Sequence, residues 1–318
     1  MDEVNLTKVT EQPRLLVIGG RGFIGRNVLR YFVRKGWTCS SLSLISGNDY
    51  KNIDGCKYST IDASDQSSVE SILRSNQFDY VINASGYVDH SYSIHHSGSI
   101  IQQHLTSPLN FLYSLGKFNK NIKRFIQIGS GDEYGDYSIN ISEQLPLRPV
   151  SVYGAAKASA GIFTLMAGKS TGLPVTVVRP FLLYGNDQNT NRFIPSIISK
   201  LRDGHSFEMS DGSQLRDFLH IDDFCIALDK IIATEKSIAE EFNIASGIPI
   251  SIRDAAFTVR RYISSGKIYF DSKKKRRGEP DRLVADISKA KNILRWDPAI
   301  NFEEGVKKTI DMFKDVCD

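Results

Sequence analysis

The sequence predicts an α/β chain: a doubly wound parallel sheet followed by a smaller mixed α/β region. Three observations predict it. The apolar run Leu15-Leu-Val-Ile18 ends in glycines and opens a stretch of helical periodicity. Short apolar runs then alternate with helical patterns as far as Val178, which implies right-handed crossovers and a parallel sheet covered on both faces. After Pro180 that rhythm stops. The 318 residues are expected to divide at 1–180 and 181–318, with about 219–245 returning to the first part.

Taken in order, the first helix carries Ile24, Val28, Leu29, Phe32 and Val33 at helical spacing and stops at Gly36. Strands are expected at 38–44, 58–61, 80–82, 125–128 and 175–178, with helices at 67–75, 99–117 and 151–169. Beyond Pro180, helices are expected at 193–202, 222–233, 252–263 and 303–313, with Asp222 as a candidate cap. No internal repeat, low-complexity tract or flexible linker is evident.

Charge and cysteine usage exclude several classes. Net charge is +4, and the basic run 273–277 accounts for more than that excess, so no broad basic surface for nucleic acid remains. That run reads as a solvated loop, one or two of whose members can grip an anion. Cys39, Cys56, Cys225 and Cys317 lack the spacing of a zinc site or a disulfide framework, which fits a reducing cytoplasm. The polar start does not resemble a secretory signal, and no apolar run reaches membrane-spanning length. His90, His95, His96 and His104 crowd one segment without carboxylates at metal spacing; they read as solvated or helix-surface histidines, and no metal is expected.

The glycine loop Gly19-Gly-Arg-Gly22-Phe-Ile-Gly25 follows a strand and opens a helix, the context of a Rossmann-type dinucleotide site. Gly19 allows the turn, Gly22 lets backbone approach a pyrophosphate, and Gly25 lets the helix pack on the sheet. The second strand ends Leu42-Ser43-Leu44-Ile45 without the acid that accepts from an NAD ribose. Ser43 therefore permits a 2′-phosphate, and Arg21 is either its partner or a solvated loop arginine. NADP(H) is preferred and NAD(H) remains possible. Asp62 reads either as an acceptor for the adenine amino group or as a helix cap.

Tyr-x-x-x-Lys occurs four times, at Tyr31/Lys35, Tyr113/Lys117, Tyr153/Lys157 and Tyr269/Lys273, so position must choose among them. Ser130 ends the strand run Phe125-Ile-Gln-Ile-Gly129, at the sheet edge where open α/β folds bind ligands. Its hydroxyl can hold a substrate oxygen within reach of a phenol. Residues four apart share a helix face, so Lys157 lies beside Tyr153, where an ammonium is expected to lower the phenol's pKa. Asp132-Glu133 read as paired acids or as caps of the loop.

Together these residues resemble the extended short-chain dehydrogenase/reductase family, in its nucleotide-sugar epimerase/dehydratase group. The resemblance runs from Arg14 nearly to the end. Gly129-Ser130-Gly-Asp-Glu-Tyr134-Gly135 is similar to the family's Ser-x-x-x-Tyr-Gly segment, and Arg179-Pro180-Phe-Leu-Leu-Tyr184-Gly185 to its Arg-Pro-x-Asn-x-Tyr-Gly stretch. Gly212 to Phe218, Ile221-Asp-Asp223, Arg276-Arg-Gly278-Glu279 and Trp296-Asp-Pro298 resemble its later motifs. The resemblance implies Ser130, Tyr153 and Lys157 as catalytic residues. The cofactor side comprises Gly19, Arg21, Gly22, Phe23, Ile24, Gly25, Ser43, Asp62, Ala84 and Lys157. The substrate side comprises Asp132, Arg192, Arg216, Arg276 and Glu279, with Arg216 and Arg276 on a nucleotide diphosphate. A homodimer through the Tyr153 helix and the one before it is implied as well.

Departures from the family pattern narrow the expected chemistry. The adjacent Asp-Glu of dehydratases is Gly131-Asp132 here, and no Cys stands near that point. The motif Asn is Leu182, and the Asn expected after the fourth strand is His104. The leading expectation is reduction of a 4-keto-6-deoxy nucleotide-linked sugar by NADPH. The alternatives are a 4-epimerase with tightly bound NAD, then a 4,6-dehydratase or a non-catalytic cofactor sensor.

Overall fold

A computed structural model describes residues 12–43, 52–87, 97–274 and 278–314. The first half alternates strand and helix: β1 (Arg14–Ile18), α1 (Phe23–Arg34), β2 (Thr38–Ser43), β3 (Cys56–Thr60), α2 (Gln66–Ser75) and β4 (Tyr80–Asn83). There follow α3 (Gly98–Ile101), α4 (Ser107–Phe118), β5 (Arg124–Ile128), α5 (Val152–Thr171) and β6 (Val175–Pro180). The helix expected at 99–117 is two α-helices joined by a π turn, Gln102–Thr106, a form often found at functional sites. Ser151 starts α5 by accepting from the Gly154 N–H, and Gly172 ends it in the left-handed conformation.

The second half contains more strands than its periodicity indicates. It runs β7 (Leu182–Tyr184), α6 (Phe193–Arg202), β8 (Ser206–Glu208), β9 (Leu215–His220), α7 (Ile221–Ala233) and β10 (Glu240–Ile244). It closes with β11 (Pro249–Ser251), α8 (Ile252–Arg261), β12 (Lys267–Tyr269), β13 (Arg282–Leu283) and α9 (Phe302–Lys314). Asp222 is not the cap of α7. His220 holds that position and its ring accepts from the Asp222 N–H.

Seven strands form one parallel sheet in the order β10-β6-β5-β4-β1-β2-β3. Its central strands are apolar on both faces, and Leu15, Leu16, Val17, Phe125, Ile126, Val175 and Val177 are fully buried. Val28, Leu29 and Phe32 of α1 pack on one face with Phe224 and Leu228 of α7. Val69 and Leu73 of α2 cover the other with Phe111 and Leu115 of α4. Chain order reverses between β1 and β4, the switch point at which such sheets bind ligands beyond their carboxyl ends.

Above that edge lies a separate apolar cluster built from Tyr184, Phe218, α6, α8 and α9. Strand β9 pairs with β11, β13 and β7. No helix among the described residues is long and apolar enough to cross a membrane. Asp217 of β9 joins this region to the chain after β10. Its buried carboxylate accepts from the Ser246 N–H (2.7 Å) and hydroxyl (2.6 Å), the Gly247 N–H (2.9 Å) and the Ala285 N–H (3.1 Å).

Asp217→Ala removes the acceptor of three backbone donors, the Ala285 N–H buried and those of Ser246 and Gly247 half-buried, and an unmet buried donor costs about 1–3 kcal/mol. Urea unfolding of this variant is expected to show a loss of about 3 kcal/mol.

Candidate functional site

The glycine turn adopts the form its residues dictate. Gly19 has φ +82°, and a Cβ there would sit 2.7 Å from the Ser85 Cα; a Cβ on Gly25 would sit 2.3 Å from the Gly19 carbonyl oxygen. Helix α1 therefore begins tight against the sheet, with Gly22 as a cap that offers no side chain. The open first turn of α1 suits a phosphate. Arg21, Gly22, Phe23, Ile24 and Ala84 line the adjoining cleft.

Arg21 and Ser43 meet at the ends of β1 and β2, where the Arg21 N–H donates to Ser43 Oγ (3.4 Å). The Arg21 guanidinium reaches Asn52 Oδ1 (3.0 Å) and lies 4.8 Å over the Tyr58 ring, so it is held in place rather than merely solvated. Asp62 does not cap α2. Its carboxylate accepts from the Ser64 N–H and hydroxyl, and Asp65 caps the helix. Asp62 and Ser43 lie outside the cleft lining.

Ser130 lies two residues past the end of β5 and caps a short turn, Gly131–Glu133. Its Oγ accepts from the Asp132 N–H (3.1 Å), while its own N–H donates to Glu133 Oε1 (2.8 Å). The second Glu133 oxygen receives the Arg179 Nε–H at 2.6 Å in a fully buried ion pair. Of the adjacent acids, Glu133 is therefore structural and only Asp132 faces the cleft. The capping pattern Ser-x-x-Glu was legible in the sequence; its buried arginine partner was not.

Tyr153 and Lys157 sit one turn apart on α5, each about 5% exposed. Ser130 lines the same cleft as Tyr153 and favours the charged form of its phenol. The Lys157 ammonium donates to the Ile128 carbonyl at 2.8 Å. Burial pushes the Tyr153 phenol well above its ordinary range, reinforced by Asp132 and opposed by Ser130 and Arg192. The expected lowering by Lys157 is thus reversed, because burial dominates. Burial also brings Lys157 down to about 8, against the pull of Glu133.

The other Tyr-x-x-x-Lys pairs have local uses. Tyr31 and Lys35 both bind Asp229, Tyr113 and Lys117 lie exposed on α4, and Tyr269 is on a strand.

His104 departs from its expected place on a helix surface. It is 1% exposed, on the π turn, with Nε2 2.8 Å from the Tyr87 carbonyl oxygen. Its ring meets Tyr153 edge-on at 5.0 Å, and burial together with Lys157 holds its pKa at about 3. The only sign of this in the sequence was its replacement of the family's Asn. His90, His95 and His96 lie outside the described residues, among which no group of three or more potential metal ligands occurs.

These groups share a cleft of about 490 Å³ between the sheet edge and the upper cluster. Ser130, Asp132, Tyr153, Lys157, Arg192, Arg216 and Glu279 line it. Arg216 and Glu279 pair at 2.8 Å, so the acid engages the arginine directly. Arg276 lies outside the described residues. Phe181, which sequence reasoning did not single out, packs where a side chain on Gly131 would go: a Cβ there would lie 3.1 Å from its ring. Two larger hollows, about 700 and 660 Å³, lie along α4 and α5 and contain neither Ser130 nor Tyr153.

The model of the NAD dependent epimerase/dehydratase family matches residues 15–245. The low-salt glycan biosynthesis protein Agl12 of Haloferax volcanii is 27% identical over 311 residues, covering 94% of this chain and 98% of that protein. A UDP-glucuronate 4-epimerase of Thermodesulfobacterium geofontis is 26% identical over 315 residues, covering 94% and 96%. Among solved structures, the UDP-glucose 4-epimerase of Thermotoga maritima with UDP-glucose superposes with a TM-score of 0.89 at 23% identity, covering 96% of this chain and 100% of that one. At that identity the superposition speaks to the fold.

The lowered Lys157 pKa has a consequence for stability. Below about pH 8 the amine is charged in folded and unfolded chains alike, and the folded state bears the desolvation. As pH rises from about 8 towards the ordinary lysine value of 10.5, the folded protein sheds that proton first and gains relative stability. Lys157→Met is therefore expected to unfold at a higher temperature than the parent at pH 7. That advantage should shrink between pH 8 and 10 in scanning calorimetry.

Proposed function

The chain belongs to the NAD dependent epimerase/dehydratase family, and on that premise we propose that it moves a hydride between a nicotinamide cofactor and a carbon of a nucleotide-linked sugar. The observation that carries this reading is the convergence of Ser130, Tyr153 and Lys157 in one cleft, at the carboxyl edge of the sheet and beside the glycine turn. A bound nicotinamide would supply or accept the hydride. Gly19, Gly22 and Gly25, with the first turn of α1, would hold its pyrophosphate. Lys157 would hold ribose hydroxyls with the N–H bonds not spent on Ile128.

The chemistry we favour is reduction of a 4-keto sugar. At neutral pH the Tyr153 phenol keeps its proton, so it can donate to the ketone oxygen while Ser130 orients that oxygen. Elimination of water is disfavoured: the acid expected after Ser130 is Gly131, Phe181 fills its space, and Glu133 is committed to Arg179. NADPH is the preferred reductant in this reading, since Arg21 stands at the end of β2, where Ser43 replaces an acid. Arg216 and Arg276 would face the nucleotide diphosphate, with Asp132, Arg192 and Glu279 completing the substrate side.

A second reading, 4-epimerisation with retained NAD, is favoured by the activities named for two of the relatives above. The two readings differ in the cofactor's fate. The reductase consumes NADPH against nucleotide-linked 4-keto sugars. The epimerase releases NAD on denaturation of the purified protein and needs no added cofactor.

Tyr153→Phe is expected to lower turnover by roughly 10²–10⁴-fold, with NADPH binding intact by fluorescence titration. Near-parental turnover would remove Tyr153 from the mechanism.

We also propose a homodimer through α4 and α5. Their outer faces expose Tyr113, Ile162, Phe163 and Met166, an apolar surface uncommon on a monomer. Sedimentation should show a dimer for the parent protein and a monomer for Ile162→Glu.

A further inference from the structure

Cys39 and Cys56 are direct partners in the parallel ladder of β2 and β3. Neighbouring strands lie about 4.8 Å apart, and partners in register project from the same face. Both side chains accordingly enter one apolar cluster, with Cys39 in its core and Cys56 packed against it. Both are free thiols. The strand separation falls within the span of about 4.4–6.8 Å that a disulfide bridges between Cα atoms.

We propose that Cys39 and Cys56 are a reversible dithiol–disulfide couple that takes a low-molecular disulfide, such as oxidised glutathione, as its oxidant. The two sulfurs have distinct parts. Cys56 begins the edge strand and is partly open to solvent, whereas Cys39 is fully buried. Cys56, the sulfur that a small disulfide can reach, is the nucleophile and attacks as its thiolate. Cys56 attacks one sulfur of the small disulfide and expels the other as a thiolate. Cys39 then gives up its proton, attacks Cys56 Sγ in the mixed disulfide and expels the second small thiol. Two protein thiols become one disulfide, and one small disulfide becomes two thiols.

The pair anchors the turn that holds Arg21. The Cys56 N–H donates to the Ile53 carbonyl (3.2 Å), the Ile53 N–H to the Tyr58 hydroxyl (2.9 Å), and Arg21 binds Asn52 and the Tyr58 ring. A bond there closes the loop between β2 and β3 and pins the edge strand to the sheet. None of this depends on which sugar the cleft accepts. Cys225 is buried in α7 and Cys317 lies outside the described residues.

The test is oxidation of the folded, reduced full-length protein with oxidised glutathione. Expected is a mass loss of about 2 Da, a Cys39–Cys56 cross-linked peptide, reversal by dithiothreitol, and a melting temperature raised by a few degrees. Cys56→Ser should abolish the mass loss and Cys225→Ser should not. A glutathione adduct that persists on Cys56 without a cross-link would overturn the proposal. So would a cross-link that forms only in denaturant, or one that joins other cysteines.

Discussion

The buried pair of Glu133 and Arg179 is the constraint on which the Ser130 side of the cleft depends. One carboxylate oxygen receives the Ser130 N–H and the other the Arg179 guanidinium, which also binds Glu241 at 2.6 Å and the Tyr134 hydroxyl at 3.1 Å. Tyr134 in turn donates to Asn243 on β10. The turn after β5 is thereby tied to β6 and β10, and Ser130 is presented to the cleft at a set angle. Two charges withdrawn from water bear a desolvation penalty that their attraction offsets only when the geometry is good and the remaining hydrogen bonds are made. Here they are made, so the pair specifies position more than it adds stability.

Around that anchor the cleft sets function against stability. Tyr153 and Lys157 are almost entirely enclosed, and burial opposes the charged form of each. A phenol that keeps its proton is a usable acid. An ammonium with a reduced hold on its proton is responsive to a ligand that brings acceptors. His104, neutral and edge-on to Tyr153, adds a polar ring to this apolar floor without adding a third charge. Gly86 makes room for it, since a Cβ there would fall 2.0 Å from the imidazole Cε1.

The departures from the family pattern take physical form in the same place. Gly131 is a position whose side-chain space Phe181 has taken, so restoring an acid there requires that ring to move. Arg216 already has Glu279 as a partner, so an incoming anion would share or displace that carboxylate. These are features of this chain's own cleft.

Local pattern alone determined the strand–helix rhythm of the first half, the glycine turn, Ser130 just past a strand end and Tyr153 one turn from Lys157 on a helix. Each rests on periodicity, a required backbone conformation or position along one element, which act over a few residues. Tertiary structure decided what depends on distant partners. The short strands β7, β9, β11 and β13 exist through pairing with one another, and three or fewer residues carry no readable period in most of them. Glu133 became structural because Arg179, 46 residues away, reached it. His104 became a wall of the cleft because a π turn and Gly86 brought it inward. Proton affinities at Tyr153 and Lys157 followed burial, which no neighbour in the sequence announces and only the packed fold supplies.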